Sequence, residues 1–108
     1  MINYQRHDHS VVVQAGAVHS DWPVSGFDAL TEASFEYFLR LQPELVLLGT
    51  GARQHFAHPR LYRALTNAGI AVEFMDTKAA CRTYNILVAD ERKVIAAILF
   101  EAESSPKV

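Results

Sequence analysis

A chain of 108 residues, half of them apolar and a fifth charged, is long enough for one domain with one modest hydrophobic core. Its formal net charge of −2 supplies no general attraction to nucleic acid, and no apolar run reaches the roughly 20 residues that span a bilayer. The single cysteine, Cys81, has no partner for an internal disulfide, which points to a reducing compartment.

The polar opening, residues 1–9, lacks the apolar centre of a signal peptide, so a cytoplasmic protein without direct membrane insertion is expected. That opening reads as a short edge strand or a frayed end. Ser10-Val11-Val12-Val13 is β-branched and reads as a strand. Ala15-Gly16-Ala17 offers a turn or bulge. His19 to Pro23 reads as a loop, because Pro23 disfavours helix at Trp22. Val24 to Phe27 reads as a second short strand. Thr31 suits a helix N-cap, and Phe35, Phe38 and Leu39 recur at helical spacing, which predicts a helix over about 32–41 that Pro43 ends.

Leu45 to Leu48 is an unbroken apolar run before glycine, the mark of a buried central strand. After a loop over Gly51 to His58, Pro59 opens a helix whose apolar face is Leu61, Ala64, Leu65 and Ala68, with Gly69 as its stop. Ile70 to Met75 reads as the second central strand. Asp76 or Thr77 caps a helix from about Lys78 to Val88. Asp90 to Lys93 is a charged turn, Val94 to Phe100 a last strand, and 101–108 a polar tail expected to fray.

This order predicts a single α/β domain over 1–108 with its core at about 10–100. The architecture expected is three-layered: a central mixed, mainly parallel β-sheet flanked by helices, with the N-terminal strands as a hairpin. The opening strands and the closing strand are the ones free to run antiparallel. In such a sheet, ligands sit beyond the carboxyl ends of the strands. Those ends carry Gly49-Thr50-Gly51 and Asp76-Thr77. Glycine lets backbone approach a ligand, and helix N-termini favour anions. With Arg53, Arg82 and Asn85, the candidate ligand-binding set is Gly49, Thr50, Gly51, Arg53, Asp76, Thr77, Arg82 and Asn85. A structural reading of the same residues has Arg82 tying down the Gly-Thr-Gly turn and Asn85 bonding a neighbouring loop.

No motif for catalysis stands out. There is no Gly-x-Ser-x-Gly elbow and no Walker lysine, and Gly-Thr-Gly lacks the third glycine of a dinucleotide fingerprint. His55 and His58 are three apart, and His7 and His9 share a strand face, but no Cys or carboxylate accompanies them at zinc spacing. No catalytic residue, metal or cofactor is therefore expected. Cys81 is either packed among small apolar neighbours or a thiolate favoured by Lys78 and Arg82. Trp22 with Phe27 is either core or an exposed anchor for a partner.

Three stretches resemble a family of small domains of unknown function whose mitochondrial members are known as NADH dehydrogenase (complex I) assembly factor 3. They are Pro43-Glu44-Leu45-Val46-Leu47-Leu48-Gly49-Thr50-Gly51, Gly69-Ile70-Ala71-Val72-Glu73-Phe74-Met75-Asp76-Thr77, and Ala79-Ala80-Cys81-Arg82-Thr83-Tyr84-Asn85-Ile86-Leu87. The resemblance covers about residues 10–100, and the last stretch is its most specific part. It implies a three-layer α/β domain with a mixed sheet, no assigned enzymatic activity, and action by protein association while a membrane complex is assembled. It carries over no catalytic residues. The lack of a mitochondrial targeting extension reads as a bacterial member. The expectation is a non-catalytic binding or assembly module with a protein partner, a membrane complex under assembly. A homodimer through the apolar N-terminal strands is a further partner. The alternative is a small-molecule binder that takes an anionic ligand at the Gly49–Gly51 and Thr77–Asn85 turns.

Overall fold

The computed structural model describes residues 10–99; the expectations for 1–9, Phe100 and the 101–108 tail lie outside the described residues. The elements are β1 (Val11–Gln14), β2 (Ala17–His19), α1 (Glu32–Glu36), β3 (Leu45–Gly49), α2 (Arg63–Asn67), β4 (Ala71–Met75), α3 (Thr77–Ala89) and β5 (Val94–Ile98). Short 3₁₀ turns at Phe27–Ala29, Tyr37–Leu41 and Pro59–Tyr62 complete the chain path.

The strands form one mixed sheet in the order β2-β1-β5-β3-β4. β3 lies between β4 and β5 and runs parallel to both, while β1 is antiparallel to β2 and to β5. The closing strand thus runs antiparallel only towards β1. The long helix α3 carries the chain back across β3 before β5 begins, and such a crossover returns the strand in the parallel sense.

Two sequence expectations need correcting. The second strand is Ala17–His19, and Val24–Phe27 is not a strand. Ala15 (φ 52°) and Gly16 (φ 82°) both take the left-handed conformation, so a two-residue turn returns β2 directly onto β1. Trp22 and Val24 instead leave the sheet and bury themselves beneath α1. The helix expected over 32–41 is α-helical only to Glu36 and tightens to 3₁₀ geometry over Tyr37–Leu41. Thr31 and Ser34 close a reciprocal capping box at its start, as Thr31 suggested.

The sheet separates two apolar layers. On one face Val12, Val46, Leu48, Phe74, Ile95 and Ala97 meet Trp22, Phe35, Phe38 and Leu65 from the α1–α2 side. On the other, Val13, Leu47, Val94 and Ala96 meet Ala80 and Tyr84 of α3. The alternation follows from the strand period of two: Val46 and Leu48 point one way, Leu47 the other. Trp22 is core, 3 % exposed, and its indole N–H donates to Ser34 O at 3.0 Å.

Beside it, the Tyr37 hydroxyl donates to Asp21 Oδ1 at 2.7 Å, and Arg40 lies 5.2 Å over the Tyr37 ring. Burial, then the Asp21 carboxylate, pushes the Tyr37 phenol up to about 12. Its folded-state value is raised, so its share of stability is complete below the ordinary phenol range and is lost as pH climbs through about 12. Ultraviolet phenolate titration should therefore show one tyrosine ionising late, and Asp21→Ala should bring it earlier. An unchanged titration in Asp21→Ala would exclude the carboxylate as a cause.

Candidate functional site

β3 and β4 finish side by side, with Gly49 paired to Met75 on one flank and to Ile98 on the other. The chain past each strand end is then tied to its neighbour. Thr50 N–H donates to Met75 O at 2.9 Å. Gly51 N–H donates to Thr77 Oγ1 at 2.9 Å, and Thr77 N–H returns the bond to Gly51 O at 2.9 Å. Gly51 is in the left-handed region (φ 94°), which lets its N–H turn towards Thr77.

Thr50 is buried, and its hydroxyl sits at a junction. Oγ1 donates to Arg53 O at 2.6 Å, accepts from His55 N–H at 3.1 Å, and lies 3.2 Å from Met75 O. Gln54 adds a bond along the open edge of β4, its side-chain amide donating to Phe74 O at 2.6 Å. The loop after β3 is therefore held at Thr50, Gly51 and Gln54 before it reaches Phe56. Gln54 carried no signal in the sequence, because nothing local marks a side chain that will meet a distant strand edge.

At the start of α3 the Asp76 carboxylate accepts from Ala79 N–H at 2.9 Å, the N-cap expected from its type. This arrangement bears directly on anion binding. Thr77 N–H is taken by Gly51 O, Ala79 N–H by Asp76, and Gly51 N–H by Thr77. A carboxylate already stands where an incoming anion would benefit from the helix end.

The remaining candidates separate. Arg53 and Arg82 are exposed, as is Lys78. Asn85 is half-buried and already has an interaction partner. The tie to the Gly-Thr-Gly turn comes from the Thr77 hydroxyl; among the described residues Arg82 makes no bond to that turn. Helical period is the reason. α3 turns Thr77, Ala80, Cys81 and Tyr84 inward, and Arg82 then falls on the outer side. Cys81 is buried, and burial pushes its thiol up, away from thiolate character.

Tyr84, the middle of Thr83-Tyr84-Asn85, is 1 % exposed between α3 and the sheet, and among the described residues its hydroxyl has no hydrogen-bond partner. A buried hydroxyl left unpaired costs about 1–3 kcal/mol. Tyr84→Phe keeps the ring and removes that cost, so it should leave the urea midpoint unchanged or raise it by about 1 kcal/mol. A loss of that size would show that the hydroxyl is satisfied in solution.

Neither of the concavities described next includes a residue of the turns. One, of about 420 Å³, lies at the other end of the sheet against Gln14, Leu41, Gln42, Val88 and Lys93. The other, of about 280 Å³, runs between Glu32 and Glu36 of α1 and Arg60, Arg63 and Asn67. No three His, Cys, Asp or Glu side chains gather as a metal site among the described residues.

What fold and site define together is a small three-layer α/β domain whose strand-end turns are bound to each other. The chain belongs to the family described as "Protein of unknown function (DUF498/DUF598)", whose model matches residues 1–99. It is 41% identical over 80 residues to "NADH dehydrogenase [ubiquinone] 1 alpha subcomplex assembly factor 3" of Bos taurus, a match covering 72% of this chain and 44% of that protein. The chain thus spans less than half the length of that relative. A bacterial relative, the "13 kDa major membrane protein" of Francisella tularensis subsp. holarctica, is 28% identical over 101 residues, covering 92% of this chain and 81% of its own. Among solved structures, a protein of Bordetella parapertussis superposes with a TM-score of 0.78 at 42% identity, covering 86% of this chain and 80% of that one. The family resemblance read from the three stretches and the three-layer mixed sheet are both upheld. No helix among the described residues is long and apolar enough to cross a membrane.

Proposed function

We propose that this chain is a non-catalytic association module that acts during assembly of a larger, membrane-bound complex. The observation that carries this reading is the 41% identity, across 72% of the chain, to a protein named as an assembly factor of NADH dehydrogenase. The geometry supports it from the other side. Polar side chains at the strand ends are spent on holding the two turns together, which makes a rigid platform and leaves no nucleophile beside a base. A role beside a membrane is supported by the name of the Francisella relative.

The anionic-ligand reading of the same turns draws less support, because Asp76 and the Gly51–Thr77 bonds occupy the donors it would use. What favours it is only the nearness of exposed Arg53 and Lys78 to those turns.

The test is genetic and biochemical together. Deleting the gene in its own host should lower the amount of fully assembled NADH dehydrogenase on native gels and leave partly assembled forms. Restoring the chain should return the complete enzyme. Unaltered assembly in the deletion strain would overturn the reading.

A further inference from the structure

Charge is unevenly distributed along this chain. Residues 45–89 hold five cations (Arg53, Arg60, Arg63, Lys78 and Arg82) and two acids (Glu73 and Asp76), a balance of +3, against −5 for the rest of a chain whose total is −2. Between Glu44 and Glu73 there is no carboxylate at all. Among the described residues none of the five cations pairs with an acid or donates a side-chain hydrogen bond, although Arg92, at the opposite end, pairs with Glu44 at 2.9 Å.

Two of these cations, Arg53 and Lys78, flank the turns where β3 and β4 end, and a third, Arg82, lies close by in sequence. Arg53 and Lys78 each lie within two residues of the Gly51–Thr77 bonds, and Arg82 follows Lys78 one turn along the outer side of α3. At the same end the loop presents Phe56, 71% exposed, its ring centre 5.9 Å from that of Phe74. The bonds at Thr50 and Gln54 hold this loop, so an aromatic ring is offered to solvent on a fixed support. The acids close by are Glu73, Asp76, whose carboxylate is turned onto Ala79 N–H, and Asp28, next to Phe27, whose ring faces His55 at 5.2 Å.

We propose that this end of the domain, where Arg53 and Lys78 flank the bound turns, Arg82 lies one turn further along α3 and Phe56 projects from the loop, seats on an anionic lipid surface. The cations come from separate elements, and neither concavity described above includes them. A spread of unpaired positive charge matches a plane of anionic headgroups, and a projecting aromatic ring enters the headgroup boundary beside it. The proposal goes beyond the association reading and can fail without it.

The experiment is vesicle sedimentation with the whole chain, using phosphatidylcholine alone and phosphatidylcholine with a third phosphatidylglycerol. The chain should sediment with the anionic vesicles, remain in solution with the neutral ones, and be released by high salt. Each cation near the surface contributes about fivefold in partitioning, so Arg53→Glu with Lys78→Glu should lower binding at least about tenfold. Phe56→Ala should lower it several-fold while leaving the salt dependence intact. Arg53→Glu alone should lower binding several-fold, and Lys93→Glu, the same change in net charge at the opposite end, should leave it unaltered. Circular dichroism melts keep unfolded variants out of the comparison. Equal binding to neutral vesicles, equal loss in Lys93→Glu, or no sedimentation of the wild-type chain would overturn the proposal. So would an acidic protein held by the same residues while vesicles are ignored. Vesicle binding as described, with unaltered NADH dehydrogenase assembly in the deletion strain, would sink the association reading alone.

Discussion

Gly49→Val should destabilise the domain by about 3 kcal/mol, with Gly49→Ala falling short of it, measured as a shift in the urea midpoint. The cause is space, since the Gly49 backbone is not in the left-handed region. A Cβ built there would stand 3.1 Å from Ile98 Cδ1, 3.2 Å from Thr77 Cα and 3.3 Å from Ala80 Cβ. Ile98 can turn its side chain away. The Thr77 Cα is backbone, locked by the reciprocal bonds to Gly51, so α3 itself must move outward. That movement loosens Ala80 and Tyr84 from the sheet, which is where the larger valine finds its extra cost. Gly16 makes the contrast. A Cβ there meets nothing within 4 Å, and its φ of 82° alone opposes substitution. If Gly49→Val melts like the parent, the close seating of α3 on β3 is not what holds the strand ends together.

Thr50→Val is the second large effect, at about 2–3 kcal/mol. Valine matches threonine in shape, so the change tests the hydroxyl and little else. Without Oγ1, Arg53 O loses its 2.6 Å donor and His55 N–H its 3.1 Å acceptor, in a residue only 4% exposed. Thr50→Ser retains the hydroxyl and should recover most of the loss, less the burial of one methyl, worth about 1 kcal/mol. Faster amide exchange at His55 in Thr50→Val, with exchange at Leu47 in the strand unaffected, would place the damage in the loop. If valine is tolerated as well as serine, the junction at Thr50 is not a support. In the vesicle experiment Thr50→Val should also blunt binding, since it loosens the base on which Phe56 stands.

Several features were readable from residue order because they are local. Thr31 and Asp76 cap helices because their side-chain oxygens reach a backbone N–H three residues on, and that geometry needs no distant partner. Leu45–Gly49 and Val94–Ile98 are buried strands, as short unbroken apolar runs suit the middle of a sheet covered on both faces. The Gly-Thr-Gly turn and Asp76-Thr77 do lie beside each other, since parallel neighbours end at the same edge. The turn residues Thr50, Gly51, Asp76 and Thr77 stood out by type. Their roles were not, because a threonine hydroxyl bound to a glycine amide 26 residues away looks, in sequence, the same as one left free for a ligand.

The chain by itself determined the element order and the α/β class, because periodicity, capping and turn chemistry act over a few residues; the family was legible in the three stretches that carry the resemblance. Tertiary structure alone decided that β5 inserts between β1 and β3, that α3 turns Arg82 outward and Tyr84 inward, and that Thr77 ties the strand ends. It also decided that Phe56 stands clear of the core, its ring against Phe74. These are pairings between distant segments. They are settled by which faces can be buried together, a property of the packed whole that no window of sequence contains.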